Sequence, residues 1–371
     1  MAHSLFVFID GLPYDVVEET GFLAHLCPYR YKVTPGFGYS VNIHAEMFCG
    51  RTPDEVGYLN EWAFDPENSP LRRLKLPRFM YNEQRRIRLP LLDRGMHVVL
   101  RRLSPVLAAQ NVPFEYQHMF RRTRRSVYRG FPYPPFFEEI GEIYLSLSET
   151  MPAEHGRRDE IAFREAMEAM GAAPHILVTF CDLDHFGHRY GVGTREYMER
   201  IGNLEGWITR LAEAFLRRHE DGRLFVFSDH GMANVRHGVQ VPLEPVLGEA
   251  GLRTYAYFLD STMLRLWVLR DDELLSKAVA LLDSLDCGTI VSEQDRREFG
   301  VTKRTFGDLI FVLHEGHVFS PSFLGNVLPK AMHGHHPREP GQQTVFLTNH
   351  EPAVEVRRTL DYYCVFKGSC L

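Results

Sequence analysis

Short continuous runs of hydrophobic residues recur along the chain, bounded by polar or turn-forming residues. The runs are Leu5–Ile9, Ile176–Cys181, Leu224–Phe227, Leu309–Leu313 and Thr344–Thr348. Strands that are covered on both faces lack the alternation of polar and apolar residues, so such runs are typical of buried strands in a parallel sheet. The pattern therefore predicts five buried strands.

An amphipathic helix is predicted between the second and third runs. Its apolar residues recur every three or four positions and are Tyr197, Ile201, Leu204, Ile208, Leu211 and Phe215. This spacing places all six on one helix face. The pattern stops near Asp221-Gly222, a typical helix end. Strand, helix and strand in this order predict a βαβ unit, and hence an α/β fold with a mostly parallel central sheet flanked by helices.

Two segments interrupt this pattern. Residues 61–151 are rich in proline and aromatic residues and show no long period, which predicts an insertion that covers the core. Residues 233–327 contain a predicted strand (Met263–Leu269), a predicted helix (Asp272–Leu285) and the run Leu309–Leu313. These elements predict a small α+β cap. We therefore expect one catalytic domain over residues 1–371 with two insertions.

Charge is distributed unevenly along the chain. The net charge is −6, so nucleic-acid binding is not expected. Residues 71–130, however, contain 15 Lys and Arg residues and only three acidic residues. This basic segment has three interpretations: a solvated face paired with the acidic remainder, recognition of a polyanionic leaving group, or peripheral contact with an anionic membrane.

Cysteine usage and the N-terminus bear on location. The six cysteines show no C-x-x-C spacing, so we expect free thiols in a reducing cytoplasm rather than a disulfide framework. The N-terminal residues MAHSLFVFID lack a basic region before the apolar run and are interpreted as a first strand, not a signal peptide. We therefore predict a cytoplasmic location.

Acidic residues and histidines cluster next to the predicted strands. They are Asp10, Asp184, His188, Asp229, His230 and His333. Ligands of open parallel sheets bind at the carboxyl ends of the strands, so these loops are expected to converge. Carboxylate and imidazole without thiolate suit Zn, Mn or Fe in a hydrolytic site. Six ligands exceed the need of one catalytic ion and predict two ions about 4 Å apart.

Four more residues of this kind lie nearby, and we expect them to support the ligands or to lie on the surface. They are Asp182, His185, His335 and His336.

Ser40 is the candidate nucleophile. It precedes a predicted helical run that ends at Gly50, and free backbone N–H groups and the helix dipole favour an anion at this position. The alternative is that Ser40 only caps the helix. His44 lies one turn further, but GYSVN is not a nucleophile elbow, so a Ser-His pair is disfavoured.

Five segments resemble motifs of one family. They are FIDGLPYD, SVNIHAEMFCGRTPDEVGY, DLDHFGHRYG, SDHGM and MHGHHP. Together they resemble the alkaline phosphatase superfamily and, within it, the type I phosphodiesterase/nucleotide pyrophosphatase branch. No C-x-P-x-R segment occurs, which disfavours a sulfatase. The resemblance implies an alkaline-phosphatase-like fold and two divalent ions, zinc before manganese.

The resemblance also implies roles for individual residues. One ion would be held by Asp184, His188 and His333, and the other by Asp10, Asp229, His230 and the Ser40 hydroxyl. Ser40 would attack phosphorus and form a phosphoseryl intermediate. The family commonly has an Asn about twenty residues after the nucleophile that contacts a phosphoryl oxygen. That spacing falls on Glu61, with Asn60 beside it; since a carboxylate against a phosphate is unfavourable, either Asn60 is the catalytic residue in this role or the substrate differs.

The expected activity is hydrolysis of a phosphate diester or a nucleotide-type substrate. The partner is then a phosphorylated small molecule or a lipid headgroup. Two alternatives stay open: a phosphomonoesterase or phosphonate hydrolase on the same two-metal core, and a metal-containing binding protein without catalysis.

Overall fold

The computed structural model describes residues 3–69, 72, 118–123, 126–270, 272–325 and 327–370. Most of the basic segment, and with it the interpretation of that segment, lies outside these residues. The chain forms two compact units. The first comprises Met1–Val56, Arg125–Arg236 and Pro329–Leu371, and the second comprises Gly57–Arg124 and His237–Leu328. The prediction of one catalytic domain with two insertions stays a prediction.

Sixteen strands are present in the described residues. In chain order they are β1 (Ser4–Ile9), β2 (Tyr29–Val33), β3 (Trp62–Phe64), β4 (Phe120–Arg122), β5 (Ile143–Leu147), β6 (His175–Phe180), β7 (Arg223–Ser228), β8 (Ala233–Asn234), β9 (His237–Val239), β10 (Tyr255–Leu259), β11 (Met263–Val268), β12 (Gly288–Ile290), β13 (Leu309–Leu313), β14 (His317–Phe319), β15 (Ala331–Met332) and β16 (Thr344–Thr348).

Eleven α-helices connect these strands in the described parts of the chain. They are α1 (Tyr14–Thr20), α2 (Ser40–Cys49), α3 (Pro53–Val56), α4 (Phe136–Glu139), α5 (Arg158–Glu168), α6 (Asp182–Tyr190), α7 (Arg195–Arg218), α8 (Leu243–Leu247), α9 (Asp272–Asp283), α10 (Glu293–Glu298) and α11 (Tyr362–Cys370). Across the described ranges, none of these helices has the length and apolarity needed to span a bilayer.

The first unit contains a six-stranded sheet in the order β2-β16-β7-β1-β6-β5. Strands β5, β6, β1 and β7 pair in parallel, whereas β16 runs antiparallel to both of its neighbours. Strand β5 falls within the range predicted as an insertion, but it forms an edge of this sheet. The mostly parallel α/β class is confirmed.

Helix α7 confirms the predicted amphipathic pattern. All six apolar residues of the predicted face are buried in one core cluster together with Leu5, Val7 and Ile9 of β1. The opposite face of the sheet packs on a second cluster that includes Phe6, Phe8 and residues of α2. Covering by helices on both faces explains why the strand sequences are continuously hydrophobic.

The second unit has an antiparallel four-stranded sheet in the order β10-β11-β13-β12. Helix α9 covers it with Leu274, Ala278 and Leu282. A second cluster, which includes Trp62, Phe120, Phe258 and Trp267, packs within the same unit. The run Leu309–Leu313 therefore belongs to this sheet and not to the mostly parallel one.

Candidate active site

The predicted ligand residues meet at the carboxyl edge of the parallel strands in the first unit. Asp10 directly follows β1, and Asp229 and His230 directly follow β7. Asp184 and His188 lie on α6, which begins two residues after β6. His333 follows β15, whose pairing with β8 holds it next to the loop that carries His230. The rings of His230 and His333 stack with centroids 3.7 Å apart.

The first group of potential ligands surrounds the Asp184 carboxylate. Asp184 Oδ1 lies 3.3 Å from His188 Nε2 and 3.6 Å from His333 Nε2. His188 Nδ1 lies 2.9 Å from the Ala331 carbonyl oxygen. A proton on Nδ1 would satisfy that carbonyl and leave Nε2 free to bind a cation, which is the usual arrangement of a metal-binding histidine.

The second group surrounds His230 Nε2. This nitrogen lies 3.0 Å from Ser40 Oγ, 3.2 Å from Asp229 Oδ2 and 3.6 Å from Asp10 Oδ1. His230 Nδ1 lies 2.9 Å from the Gly231 carbonyl oxygen. As in His188, a proton on Nδ1 would orient the ring and leave Nε2 free to bind a cation. The Gly11 and His230 backbone N–H groups both donate to Asp229 Oδ1, which fixes the carboxylate and directs Oδ2 toward the histidine.

Two sets of three residues each have their potential ligand atoms within 4.8 Å of one another. The sets are Asp184, His230 and His333, and Asp10, Asp229 and His230. His230 belongs to both, so the two sets adjoin. The structure therefore brings together Ser40 and all six residues that the sequence singled out as metal ligands, although their assignment to individual ions stays a prediction.

Three carboxylate oxygens in this cluster are buried and have no hydrogen-bond partner among the described residues: Asp10 Oδ1, Asp184 Oδ1 and Asp229 Oδ2. An unmet buried charge is costly, and unsatisfied oxygens of this kind are rare in folded proteins. The oxygens face imidazole nitrogens at distances that suit shared coordination. The donor set of carboxylate, imidazole and hydroxyl thus fits divalent cations such as Zn or Mn.

Burial and neighbouring charges shift the titration of these residues. Burial, followed by the charges of Asp229 and Asp184, raises the pKa of Asp10 well above its ordinary value. Burial would also raise the pKa of Asp229, but His230, His44 and the Gly11 N–H outweigh it and lower the value to about 2. Burial, followed by His230 and His188, lowers the pKa of His333 well below its ordinary value. A neutral His333 is ready to bind a cation.

Ser40 is the first residue of α2, and the structure places Tyr39, not Ser40, at the N-cap. Asn42 stabilises this helix start, because its side chain accepts from the Tyr39 N–H and donates to the Phe37 carbonyl. The Ser40 hydroxyl is therefore not needed as a cap and faces His230. Its place in the first turn exposes it to the positive end of the helix dipole.

His44 does not pair with Ser40. Its Nε2 lies 3.6 Å from Asp229 Oδ2, and its ring stands perpendicular to that of Phe8. His44 therefore supports the charge of Asp229, a role that the sequence reasoning missed. The sequence signal that could have indicated this role is a histidine one helical turn after the nucleophile.

Two buried carboxylates hold the start of α6, the helix that carries Asp184 and His188. Asp159 Oδ1 accepts from the backbone N–H groups of Cys181 (2.9 Å) and Asp182 (3.2 Å), and from the Ser148 hydroxyl at 2.6 Å. In return, Asp182 Oδ2 accepts from the Asp159 N–H at the start of α5. Each carboxylate thus caps the other helix. Asp159 was not found by sequence reasoning, since only the fold brings it to Asp182.

The other three residues named with Asp182 have separate surroundings. The His185 ring stacks on His155 with centroids 4.1 Å apart. The buried His335 donates its backbone N–H to the Gln342 side chain. The His336 ring meets Phe37 edge-on.

Asn60 belongs to the second unit, where its side chain is buried in a polar network. Its Oδ1 accepts from the Trp62 N–H and from Arg265 Nη2, both at 2.8 Å, and its Nδ2 donates to Asp260. The neighbouring Glu61 accepts the Thr123 N–H with its backbone carbonyl. A contact of either side chain with a phosphoryl oxygen stays a prediction.

Comparison with known proteins identifies relatives of this chain. The model of the type I phosphodiesterase/nucleotide pyrophosphatase family matches residues 5–336. No curated protein sequence matches the chain.

Solved structures share the fold. An inactive variant of murine ectonucleotide pyrophosphatase/phosphodiesterase 5 in complex with AMP has a TM-score of 0.64 at 13% identity, covering 100% of this chain and 95% of the other. The human protein has a TM-score of 0.63 at 13% identity, covering 99% and 94%. Another structure of the murine protein gives 0.64 at 14% identity, covering 99% and 95%.

Proposed function

Since the chain belongs to the type I phosphodiesterase/nucleotide pyrophosphatase family, and is with it a hydrolase of phosphoester bonds, we propose that it cleaves a nucleotide-type phosphate diester with Ser40 as nucleophile. The observation that carries this proposal is the position of Ser40. Its hydroxyl lies 3.0 Å from His230 Nε2, at the N-terminus of α2, among the carboxylates and imidazoles of the two ligand sets.

Two divalent cations complete the proposed site. Asp184, His188 and His333 would hold one, and Asp10, Asp229, His230 and the Ser40 hydroxyl would hold the other. When bound, such ions neutralise charge on the phosphoryl oxygens and lower the pKa of a nearby hydroxyl or water. Zinc is the first choice and manganese the second. Both metals accept oxygen and nitrogen ligands.

The protein's own groups set the geometry of the reaction. Asn42 and the N-terminal turn of α2 hold the Ser40 hydroxyl, and the positive end of the helix dipole favours its oxyanion. Ser40 Oγ forms a bond to phosphorus while the bond from phosphorus to the leaving oxygen breaks. Water then attacks the phosphoseryl group and releases Ser40. The Asp159–Asp182 caps and the Ala331 carbonyl hold Asp184 and His188 in place throughout.

The family, and the AMP complex of one structural relative, support a nucleotide-type substrate. A phosphodiester with a nucleoside group is therefore the first substrate to test, and a lipid headgroup diester the second. The predicted membrane contact of the basic segment, the recognition role of that segment and the cytoplasmic location stay predictions.

The test compares a chromogenic phosphodiester with its monoester, using protein loaded with Zn or Mn. We expect the diester to be hydrolysed well above the monoester, and Ser40→Ala to lose this activity by on the order of a thousandfold. Ser276→Ala, on the exposed side of α9, is the matched control and should keep it. A monoester preference would favour a phosphomonoesterase, and turnover that survives in Ser40→Ala would exclude the phosphoseryl route.

A further inference from the structure

Glu149 is an exposed residue two positions after β5, yet its carboxylate is held in place. Its Oε2 accepts from the Thr179 hydroxyl at 2.7 Å and from the Cys181 thiol at 3.5 Å. The buried Thr179 hydroxyl in turn accepts the Ser148 N–H at 2.9 Å, which directs its proton toward Glu149. Exposed glutamates usually rotate freely, so a carboxylate anchored in this way loses little side-chain entropy when it binds a ligand.

The parallel sheet places Glu149 in line with two of the ligand residues. Strands β7, β1, β6 and β5 are consecutive, and their paired residues are in register. Counted from these pairs, the equivalent positions just beyond the four strands are Asp229, Asp10, Cys181 and Glu149. Neighbouring strands lie about 4.8 Å apart, so Glu149 is two strands, roughly 10 Å, from Asp10 along this edge. Its carboxylate covers part of that distance, because it contacts Cys181 on the intervening strand.

Glu149 also lies on the face of the sheet that carries the nucleophile. Side chains alternate between the two faces of a strand, so residues an even number of positions apart point the same way. Phe8, two residues before Asp10, and Leu145, four residues before Glu149, both pack in the core cluster that contains residues of α2. The Cys181 side chain, which contacts Glu149, packs on the same cluster. The carboxylate is therefore on the side of the sheet where α2 presents Ser40.

The charge of Glu149 is not balanced by an ion pair with a Lys, Arg or His in the part of the chain that the structure describes. It acts on the site: burial, followed by the charges of Asp229, Asp184 and then Glu149, raises the pKa of Asp10. A fixed negative charge beside a phosphate site attracts a positively charged substituent of the substrate and repels a further negative one.

We propose that Glu149 is a specificity-determining residue whose carboxylate binds an ammonium group on one alcohol of the phosphate diester. The inference rests on the proposed function, which needs a diester at the two ligand sets and leaves its second alcohol open. A phosphoryl group beside Ser40 and Asp10 would direct a short amino alcohol along the row of strand ends, over Cys181 and toward Glu149. The exposure of Glu149 leaves room for such a group.

The experiment uses the metal-loaded full chain and two chromogenic nitrophenyl diesters that differ in one group. The second alcohol is aminoethanol in one diester and propanol in the other, so an ammonium group replaces a methyl group of similar size. We expect the wild type to hydrolyse the aminoethyl ester with a kcat/KM about 5- to 10-fold above that of the propyl ester. High salt should reduce this preference, because counter-ions screen a charge at the surface.

The test variant is Glu149→Gln, which removes the charge and keeps the size of the side chain. We expect the two esters to have equal kcat/KM values in this variant. A change in metal affinity or in stability affects both esters alike, so the ratio of the two values isolates the contact with the ammonium group. Glu142→Gln is the matched control: Glu142 is exposed just before β5, at the opposite end of the strand, and its variant should keep the wild-type ratio.

The outcomes separate this inference from the proposed function. No preference of the wild type for the aminoethyl ester, or an unchanged ratio in Glu149→Gln, would overturn the role of Glu149 and leave the phosphodiesterase in place. If the wild type hydrolyses neither diester, the proposed function fails, and calorimetry with aminoethyl phosphate and propyl phosphate tests Glu149 separately. Tighter binding of the aminoethyl compound that is lost in Glu149→Gln would support the contact, whereas equal or absent binding would overturn it.

Discussion

Both compact units bury carboxylates, but they satisfy them in opposite ways. In the second unit, Asp260 Oδ2 lies 3.6 Å from Arg265 Nε and also accepts from the Asn60 amide. In the first unit, Asp10, Asp184 and Asp229 lie close to one another and to imidazoles, and each retains an oxygen without a partner among the described residues. A carboxylate beside a guanidinium has its charge balanced within the protein, whereas like charges with unmet oxygens need a cation from outside.

The same contrast predicts which mutations lower stability and which lower activity. Removing a paired carboxylate from the second unit leaves a buried cation without its counter-charge, so that the desolvation cost of this cation is no longer offset. Removing an unmet carboxylate from the first unit relieves repulsion in the metal-free protein but removes a ligand. The two clusters should therefore respond to the same kind of mutation with opposite changes in stability.

Asp10→Asn should have the largest effect. We expect diester hydrolysis to fall by on the order of a hundredfold or more, because the carboxylate is a proposed ligand. The free energy of unfolding of the chelator-treated protein at pH 8 should be unchanged or higher, since burial and the charges of Asp229 and Asp184 already disfavour the ionised Asp10. Kinetics and urea unfolding measure the two quantities. A clear loss of metal-free stability would show that Asp10 is a structural residue.

Asp260→Ala should lower the free energy of unfolding by about 3 kcal/mol, because Arg265 would lose its buried carboxylate partner. Urea unfolding of the full chain measures this loss. Lys277→Ala removes a cation from an exposed pair with Glu273 and serves as the control, with a change below about 0.5 kcal/mol. A similarly small change in Asp260→Ala would remove the distinction between the two clusters.

Glu46 is an intermediate case in the first unit. Its Oε2 accepts from the Thr359 hydroxyl, and burial raises its pKa from 4.5 to about 7 although Arg358 and Thr359 oppose the shift. The protonated form is thus the stable one in the folded protein. The contribution of the protonated Glu46 to the free energy of unfolding is complete below pH 4.5 and is lost as the pH rises through about 7.

Glu46→Gln removes this titration. Between pH 5 and pH 8, the stability difference should shift in favour of the variant by on the order of 2 kcal/mol, measured by urea unfolding at both values. Glu199→Gln, on an exposed part of α7, should show no such shift. A pH-independent difference for Glu46→Gln would mean that Glu46 is ionised throughout.

Asp159→Asn should have the smallest effect. It weakens one of the reciprocal caps at the start of α6, so Asp184 and His188 should bind the cation about tenfold less tightly. Calorimetric metal titration measures this affinity. Glu160→Gln, at the adjacent and only partly buried position, is the control and should bind metal like the wild type. An unchanged affinity in Asp159→Asn would limit the caps to a structural role.

The sequence by itself determined the class of the fold and singled out seven residues that the structure brings together at the candidate site. Continuous apolar runs located β1, β6, β7, β13 and β16 to within a residue or two, and the period of α7 identified its buried face, because burial acts on local sequence patterns. Strands β2 and β5 were missed. Most of their residues are only partly buried, as is usual at sheet edges, so they carry no continuous apolar run.

Only the tertiary structure decided how these residues meet. His333 reaches His230 because β15 pairs with β8, and β16 then enters the sheet antiparallel, neither of which a run of hydrophobic residues encodes. The reciprocal caps of Asp159 and Asp182, and the anchoring of Glu149 by Thr179 and Cys181, also depend on contacts between distant segments. Local patterns record which side chains are buried, whereas strand direction and packing between distant segments determine which buried polar atoms find a partner and which are left for a ligand.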